Sequence, residues 1–196
     1  MSDAYILGFD TSAAHCAAAL LCGTRVVAMR GEEMTRGQAE RLMPLLEEVL
    51  AEAGIVWGDL ARIGVGVGPG NFTGIRIGVS AARGLALALE IPAIGITGFQ
   101  TISLDEEAAH VAAIPAPRDH VYVQAPGGAQ ALMPMAEAEA MGAPLRYLPA
   151  SGEMACRIAR LAAVAPPGPA PAPLYLRAAD AAPARDAPPV MLDERG

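Results

Sequence analysis

Residues 67–78 read VGPGNFTGIRIG, and this glycine-rich stretch lies between an apolar run and a long helical pattern. Residues 62–67, at its start, have the length and apolar character of a buried strand, whereas residues 73–89 repeat apolar side chains at helical spacing. A glycine-rich turn from a strand into a helix is a common place for phosphate binding. The stretch therefore predicts an α/β fold and raises the question of a phosphate site.

The spacing within the loop excludes the two common nucleotide-binding motifs. In a Walker loop a lysine follows the second glycine, but Ile75 follows Gly74 here, and Gly68 is one residue too far away. A Rossmann fingerprint would need its third glycine where Thr73 stands. Phosphate binding of either standard kind is therefore not predicted.

Two interpretations of the loop stay open. Backbone amides around Gly70, together with the guanidinium of Arg76 in the first helical turn, could hold an anion. Arg76 is unfavourable for the helix dipole, which favours negative charge at this end, so we expect its charge to have another partner. Alternatively, the segment is a tight turn in which the side chain of Asn71 or Thr73 caps the helix.

Short apolar runs and helical periodicity outline the elements on both sides of the loop. Residues 5–10, 16–21 and 25–30 are predicted strands, and their short connections require an antiparallel meander. A helix over residues 38–53 and a strand over residues 93–97 complete an alternation of helices and strands, which is typical of parallel strands with right-handed crossovers. This order predicts mixed sheets in an actin-like ATPase or ribonuclease-H-like layout.

The second half of the chain has weaker patterns. Four elements are predicted there: strands over residues 108–114, 120–124 and 130–132 and a helix over residues 154–164. After this helix the sequence is rich in Pro and Ala, which prevents regular pairing. We therefore expect three regions: an N-terminal lobe over residues 1–100, a smaller second lobe over residues 101–164 and a C-terminal tail over residues 165–196.

The two long helices carry more apolar and small residues than one buried face requires. In the first, we expect Pro44 to bend the helix or to delay its start, and Gly54 to cap its end. In the second, internal glycines each cost about 1 kcal/mol relative to alanine and allow another backbone to come close. That backbone belongs either to the chain's own sheet or to a second protein. The residues that we assign to such a partner interface are Leu42, Leu46, Val49, Gly74, Ile75, Gly78, Val79 and Ala82.

Asp10 ends the first predicted strand in the sequence FDTS. In phosphate-handling folds of this layout, a carboxylate at this position can hold a metal ion while a neighbouring hydroxyl or amide meets phosphate. The simpler alternative is an aspartate that starts a turn through Asx-type hydrogen bonds. The candidate contacts to a nucleotide or anion, interpreted as remnants of a site, are Asp10, Thr11, Ser12, Gly70, Asn71, Thr73 and Arg76.

Composition excludes several classes of function. The net charge is −7 and no basic stripe occurs, so direct binding of nucleic acid is not expected. The histidines lack zinc-protease spacing, no catalytic constellation is visible, and we expect neither catalytic residues nor a metal site. Three cysteines without CxxC spacing, no signal-peptide pattern and no unbroken apolar span predict a reduced, cytoplasmic protein without membrane contact.

Several segments of the chain resemble the TsaB (YeaZ) family. They are FDTS at residues 9–12, RGQAERLMPLLEEVLAEAG at 36–54 and VGVGPGNFTGIRIGVSAARGLALALEIPAIGITGF at 65–99. The segment PLYLRAADA at 173–181 is similar to the family's terminal motif. The middle departs from the family, because IPAPR at 114–118 stands where an Asp-Ala-Arg turn is usual.

This resemblance implies an actin-like (ASKHA) two-lobed fold with a reduced second lobe. It implies an accessory subunit, without catalysis of its own, of the machinery that places threonylcarbamoyl on adenosine in tRNAs reading ANN codons. The implied partners are a TsaD-type subunit bound through the two N-terminal helices and a TsaE-type ATPase reached through the complex; tRNA contact would be indirect. In isolation a homodimer is expected, and the two N-terminal helices would form its interface.

No cofactor is expected in the isolated chain, whereas ATP or ADP is a candidate ligand of the assembled complex. The alternative function is that of an ASKHA-fold ATPase or small-molecule kinase that acts on its own. A peptidase is the least favoured alternative, because the HxxxH ligands of the catalytic relative are absent here.

Overall fold

The computed structural model describes residues 4–176 and places strand β1 (Tyr5–Asp10) at the centre of a five-stranded sheet. Strand β1 pairs antiparallel with β2 (His15–Cys22), which pairs antiparallel with β3 (Arg25–Glu33). The turns between these strands are too short for a parallel crossover, which is why the chain reverses at each one. The predicted antiparallel meander is confirmed.

On the other side of β1 the sheet continues with parallel strands. Strand β4 (Leu60–Gly66) pairs with β1, and β5 (Ala93–Ile96) pairs with β4, which gives the order β3-β2-β1-β4-β5. Helix α1 (Gln38–Glu52) leads from β3 towards β4, and helix α2 (Phe72–Leu89) connects β4 to β5. The alternation of helices and strands inferred from the sequence is therefore present.

Helix α1 includes Pro44 without interruption and begins at Gln38, so the proline does not delay its start. The proline cannot donate to the carbonyl of Glu40, four residues earlier, but both residues are exposed and water can satisfy that carbonyl. Gly54 follows the last turn with a φ of 69°, in the left-handed region that glycine adopts without strain. The predicted end of this helix is confirmed.

The two faces of the sheet are covered by different parts of the chain. Leu7 and Phe9 of β1 point into a core shared with α1 and α2, whereas Ile6 points into a core shared with α5 (Ser151–Val164). Helix α5 lies close to the sheet because glycines face it: a Cβ at Gly64 would lie 2.8 Å from the Cβ of Ala162. The result is a helix–sheet–helix sandwich built around β1.

The second sheet has four strands in the order β8-β7-β6-β9. Its strands are β6 (Val111–Ala116), β7 (His120–Gln124), β8 (Ala131–Pro134) and β9 (Leu145–Arg146). Two short helices accompany it: α3 (Gly98–Ser103) and α4 (Met135–Glu139). Strand β7 is as predicted and β6 begins three residues later than predicted, whereas β9 and both short helices are too short for periodicity to indicate them.

Residues 101–164 divide between the two sheets. Strands β6 to β9 form the second sheet, but α5 packs on the first one, so this interval is not a single layer. Residues 165–176 contain no regular element, and the backbone amide of Leu174 donates to the carbonyl of Val67 at 2.8 Å. The remainder of the predicted tail lies outside the described residues.

Within residues 4–176, α2 alone is long and apolar enough to cross a membrane, judged by length and composition. A helix that packs on a sheet in a globular protein meets the same criterion. Ile75 and Val79 of α2 are buried in the core beside β4, and the helix connects two neighbouring strands of the sheet. We therefore attribute its apolar character to packing on the sheet and to the outer side described below.

Candidate functional site

Two loops meet at the end of the sheet where β1 and β4 finish. The hydroxyl of Thr11, after β1, donates to the carbonyl of Gly74 at 2.7 Å. In the opposite direction, the amide of Asn71 donates to the carbonyl of Ser12 at 2.6 Å. The FDTS turn and the GPGNFTG loop therefore hold each other directly.

The glycines of the loop are required by this contact. A Cβ on Gly70 would collide with the carbonyl oxygen of Ser12, and one on Gly74 would collide with that of Thr11. The backbone amides of Asn71 and Gly74 already donate to the Ser12 carbonyl and to the Asn71 side chain, so these two amides are not free to bind a phosphate. The side chain of Asn71 accepts from the Gly74 amide at 3.0 Å and caps α2. This geometry favours the turn-and-cap interpretation over an anion site.

Asp10 is fully buried at the start of the FDTS turn. Its Oδ1 accepts hydrogen bonds from the amide and the hydroxyl of Ser12, both at 2.9 Å, and lies 2.7 Å from Nε2 of His15. The bond from the Ser12 amide is the Asx-type turn that the sequence offered as an alternative. Asp10 Oδ2 lies against Gly66 and has no hydrogen-bond partner among the described residues.

Burial opposes protonation of His15, but the hydrogen bond and negative charge of Asp10, with a contribution from Glu33, outweigh it and raise the pKa of His15. Across residues 4–176 no three His, Cys, Asp or Glu side chains come together as a group able to hold a metal ion. Asp10 is buried in this turn with its Oδ1 paired to Ser12 and His15, which favours the turn interpretation of this carboxylate over a metal-bound nucleotide.

Arg76 has a partner that the loop alone does not reveal. Its guanidinium lies 3.8 Å above the centre of the Phe72 ring, and its Nε donates to the hydroxyl of Tyr175 at 3.0 Å. The Phe72 and Tyr175 rings stack with centroids 4.7 Å apart. Arg76 therefore holds residues 165–176, which we call the C-terminal segment, against the start of α2. This contact explains why a positive charge lies at the N-terminal end of the helix, where the helix dipole is unfavourable for it.

The eight residues assigned from the sequence to a partner interface all face the chain's own core. Leu46, for example, is 0% exposed and packs against the first sheet together with Leu42 and Val49. The residues of α2 in this set are also buried, and Gly78 lies against Thr11, which follows β1, and against Val65 of β4. The assignment of these residues to direct contact with another protein is therefore corrected. The periodicity in the sequence identified the sides of the two helices that are buried within the chain.

A different side of α2 faces outward. Ile77, Ala81, Gly84 and Ala88 follow the spacing i, i+4, i+7, i+11, and we call them the outer seam. Ile77 and Ala81 are half-buried and pack partly against the chain's own core, whereas Gly84 and Ala88 are exposed. A Cβ on Gly84 would meet nothing within 4 Å. Leu87, beside the seam, is 82% exposed. The spacing of the small residues is visible in the sequence, but the buried side of α2 also carries small residues, so the spacing alone does not say which side faces outward.

The mixed sheet, its two helical layers and the second sheet define an α/β fold of the actin-like (ASKHA) class. A model of the family described as "TsaD: tRNA N6-adenosine threonylcarbamoyltransferase" matches residues 30–185, and the chain belongs to that family. The resemblance to TsaB (YeaZ) drawn from the sequence is confirmed by the relatives that follow.

Two relatives are bacterial proteins named tRNA threonylcarbamoyladenosine biosynthesis protein TsaB. That of Escherichia coli is 37% identical over 98 residues, which cover 50% of this chain and 42% of the relative. That of Haemophilus influenzae is 32% identical over 133 residues, which cover 62% of this chain and 53% of the relative. The chain thus spans about half the length of these curated relatives.

A solved structure of YeaZ from Pseudomonas aeruginosa superimposes with a TM-score of 0.72 at 27% identity. The superposition covers 88% of this chain and 100% of that one. The similarity of fold therefore extends across both sheets, whereas the sequence similarity to the TsaB relatives covers about half to two-thirds of the chain.

Proposed function

We propose that this chain is a scaffold subunit that binds and stabilises a TsaD-type partner in the cytoplasm. The complex would transfer threonylcarbamoyl to adenosine in tRNAs reading ANN codons, and this chain would support the transfer without performing it. The names of the TsaB relatives and the match to the TsaD family model support this proposal.

The observation that carries the proposal is the outer seam of α2. Small residues at Ala81, Gly84 and Ala88 would let a second helix approach closely, and Ile77 and Leu87 would supply apolar area. Met43 on α1, 37% exposed, adds a flexible apolar side chain on the neighbouring helix. Two helices from each subunit would then form a bundle, and its contact residues would be these outward-facing ones.

The charge of the chain supports indirect contact with tRNA. A net charge of −7 would repel the phosphate backbone, so capture of tRNA would fall to the partner. We propose that a TsaE-type ATPase joins through the assembled complex and that ATP or ADP binds there. In support, the Asn71 and Gly74 amides of the GPGNFTG loop are already bonded within the chain and would not be available to a nucleotide phosphate.

The test is co-purification of the full chain with its cognate TsaD-type subunit. Gly84→Leu places a large side chain in the seam where the isolated chain has open space, and it raises helix propensity by about 1 kcal/mol. The matched control is Ala136→Leu, an exposed position on α4 of the second sheet. We expect the wild type and the control to form the complex and Gly84→Leu to lose it while its thermal stability is kept or raised.

The proposal fails if the unmodified chain forms no complex, because the activity assigned to it requires one. The assignment of the interface to the outer seam fails if Gly84→Leu binds the TsaD-type subunit as tightly as the wild type does. The same variant tests the homodimer that we propose for the isolated chain: light scattering should show a dimer for the wild type and a monomer for Gly84→Leu.

A further inference from the structure

A serine and a histidine face each other beside the second sheet. Ser103 is the last residue of α3, and His110 directly precedes β6. Both line a cleft of about 820 Å³ together with Phe99, Val111 and Met141. Neither residue belongs to the FDTS turn, the GPGNFTG loop, the C-terminal segment or the outer seam of α2.

The hydrogen bonds of His110 determine which member of the pair donates and which accepts. Its Nδ1 lies 2.9 Å from the carbonyl oxygen of Ala108, which can only accept, so Nδ1 carries the hydrogen. In the neutral ring, Nε2 is then an acceptor, and the hydroxyl of Ser103 donates to it at 2.9 Å. A nucleophile that donates to a base, which is itself oriented by a third group, is the arrangement found in acyl-transfer enzymes.

The histidine is fixed by packing, and the serine is accessible to a substrate in the cleft. His110 is 3% exposed, so packing fixes its ring, whereas Ser103 is half-buried and opens into the cleft. In acyl-transfer enzymes an aspartate usually orients the histidine, and here the carbonyl of Ala108 takes that place. The ring is therefore held in the tautomer that a general base requires.

The lining of the cleft limits which substrates fit. Carboxylates of Glu106 and Glu107 lie in its wall, and Glu106 is paired with Arg146 at 3.3 Å. Since Arg146 offsets the charge of Glu106, it is the exposed carboxylate of Glu107 that disfavours anionic acyl groups. Met141 is 41% exposed and provides an apolar side chain at the cleft, with Phe99 and Val111 almost fully buried behind the wall. A neutral or cationic ester with an apolar acyl chain matches these walls.

We propose that Ser103 and His110 are a nucleophile and general base that hydrolyse uncharged or cationic carboxylic esters in this cleft. The Ser103 oxygen attacks the ester carbonyl carbon while Nε2 of His110 takes the hydroxyl proton. The proton passes to the departing alkoxide, which leaves as the alcohol, and the acyl group stays on Ser103. Water then attacks the acyl carbonyl carbon while His110 Nε2 takes its proton. The bond to the Ser103 oxygen breaks, His110 returns the proton to that oxygen, and the carboxylic acid leaves.

The experiment uses the full chain with p-nitrophenyl butyrate as substrate. We expect turnover above the buffer rate, lowered about 100-fold or more by Ser103→Ala and by His110→Gln. The control is Ser80→Ala, an exposed serine on α2 that lies outside this cleft. It should leave the rate unchanged.

A second measurement does not depend on the folding of any variant. The wild type is treated with a fluorophosphonate probe and its peptides are mapped by mass spectrometry, and we expect the label on Ser103. Absence of turnover in the folded wild type, turnover kept in Ser103→Ala, or a label only on other residues would each overturn the proposal. A loss of thermal stability in Ser103→Ala without any esterase activity in the wild type would assign the hydrogen bond to loop closure alone.

Discussion

His15 Nε2 lies 2.7 Å from Asp10 Oδ1, and both side chains are buried where β1 turns into β2. This contact holds the FDTS turn closed from the β2 side, while Ser12 closes it from within. The FDTS turn also supports the GPGNFTG loop, because the Thr11 hydroxyl donates to the carbonyl of Gly74. One buried carboxylate therefore organises the end of the sheet at which α2 begins.

The first prediction concerns the pH dependence of stability. The folded chain holds the His15 proton more tightly than the unfolded chain, because the pKa of His15 is raised above 6.5. Protonation therefore contributes stability that is fully present below pH 6.5 and is lost as the pH rises through the raised pKa. As the pH rises through this range, the free energy of unfolding measured in urea should fall more for the wild type than for His15→Asn. Equal losses in both proteins would contradict the pairing with Asp10.

The second prediction distinguishes a scaffold from an independent ATPase or kinase. Because the loop amides of Asn71 and Gly74 are already bonded within the chain, we expect no stoichiometric heat when Mg-ATP is titrated into the isolated chain. Asp10→Ala serves as the comparison, since a true metal-nucleotide site would use this carboxylate. Tight binding by the wild type that disappears in Asp10→Ala would support the alternative function instead.

The third prediction tests which sides of α1 face the core. Leu46 is 0% exposed, so Leu46→Ala should lower the free energy of unfolding by about 2–5 kcal/mol. Met43 lies on the same helix and is 37% exposed, so Met43→Ala should change it by about 0.5 kcal/mol or less. Urea denaturation measures both. A stable Leu46→Ala variant that loses its partner would restore Leu46 to the interface.

The order of strands could be predicted from the sequence because it depends on local patterns. Short turns such as that between β2 and β3 permit only antiparallel neighbours, and the helical period of residues 73–89 requires a crossover to a parallel strand. The end of α1 at Gly54 is equally local. Each of these features follows from side chains within one turn or one helix.

The orientation of the helices could not be predicted in the same way. Both α1 and α2 carry apolar residues on more than one side, so periodicity does not tell the core side, with Leu46, from the outer side, with Met43. The partner of Arg76 is Tyr175, which is far away in sequence. The pairing of Ser103 with His110 arises when α3 and β6 bring the two ends of one loop together. Such contacts depend on tertiary packing.

The fourth prediction concerns the contact between α2 and the C-terminal segment. Tyr175→Phe keeps the ring that stacks on Phe72 but removes the hydroxyl that accepts from Arg76. We expect it to cost about 1 kcal/mol or less, because the bond is exposed, whereas Tyr175→Ala also removes the stacking and should loosen the segment. Limited proteolysis followed by mass spectrometry measures this as faster cleavage within residues 165–176. The control is Tyr147→Ala, an exposed tyrosine elsewhere, which should leave that cleavage unchanged; equal cleavage in Tyr175→Ala and the wild type would show that the aromatic contact does not hold the segment.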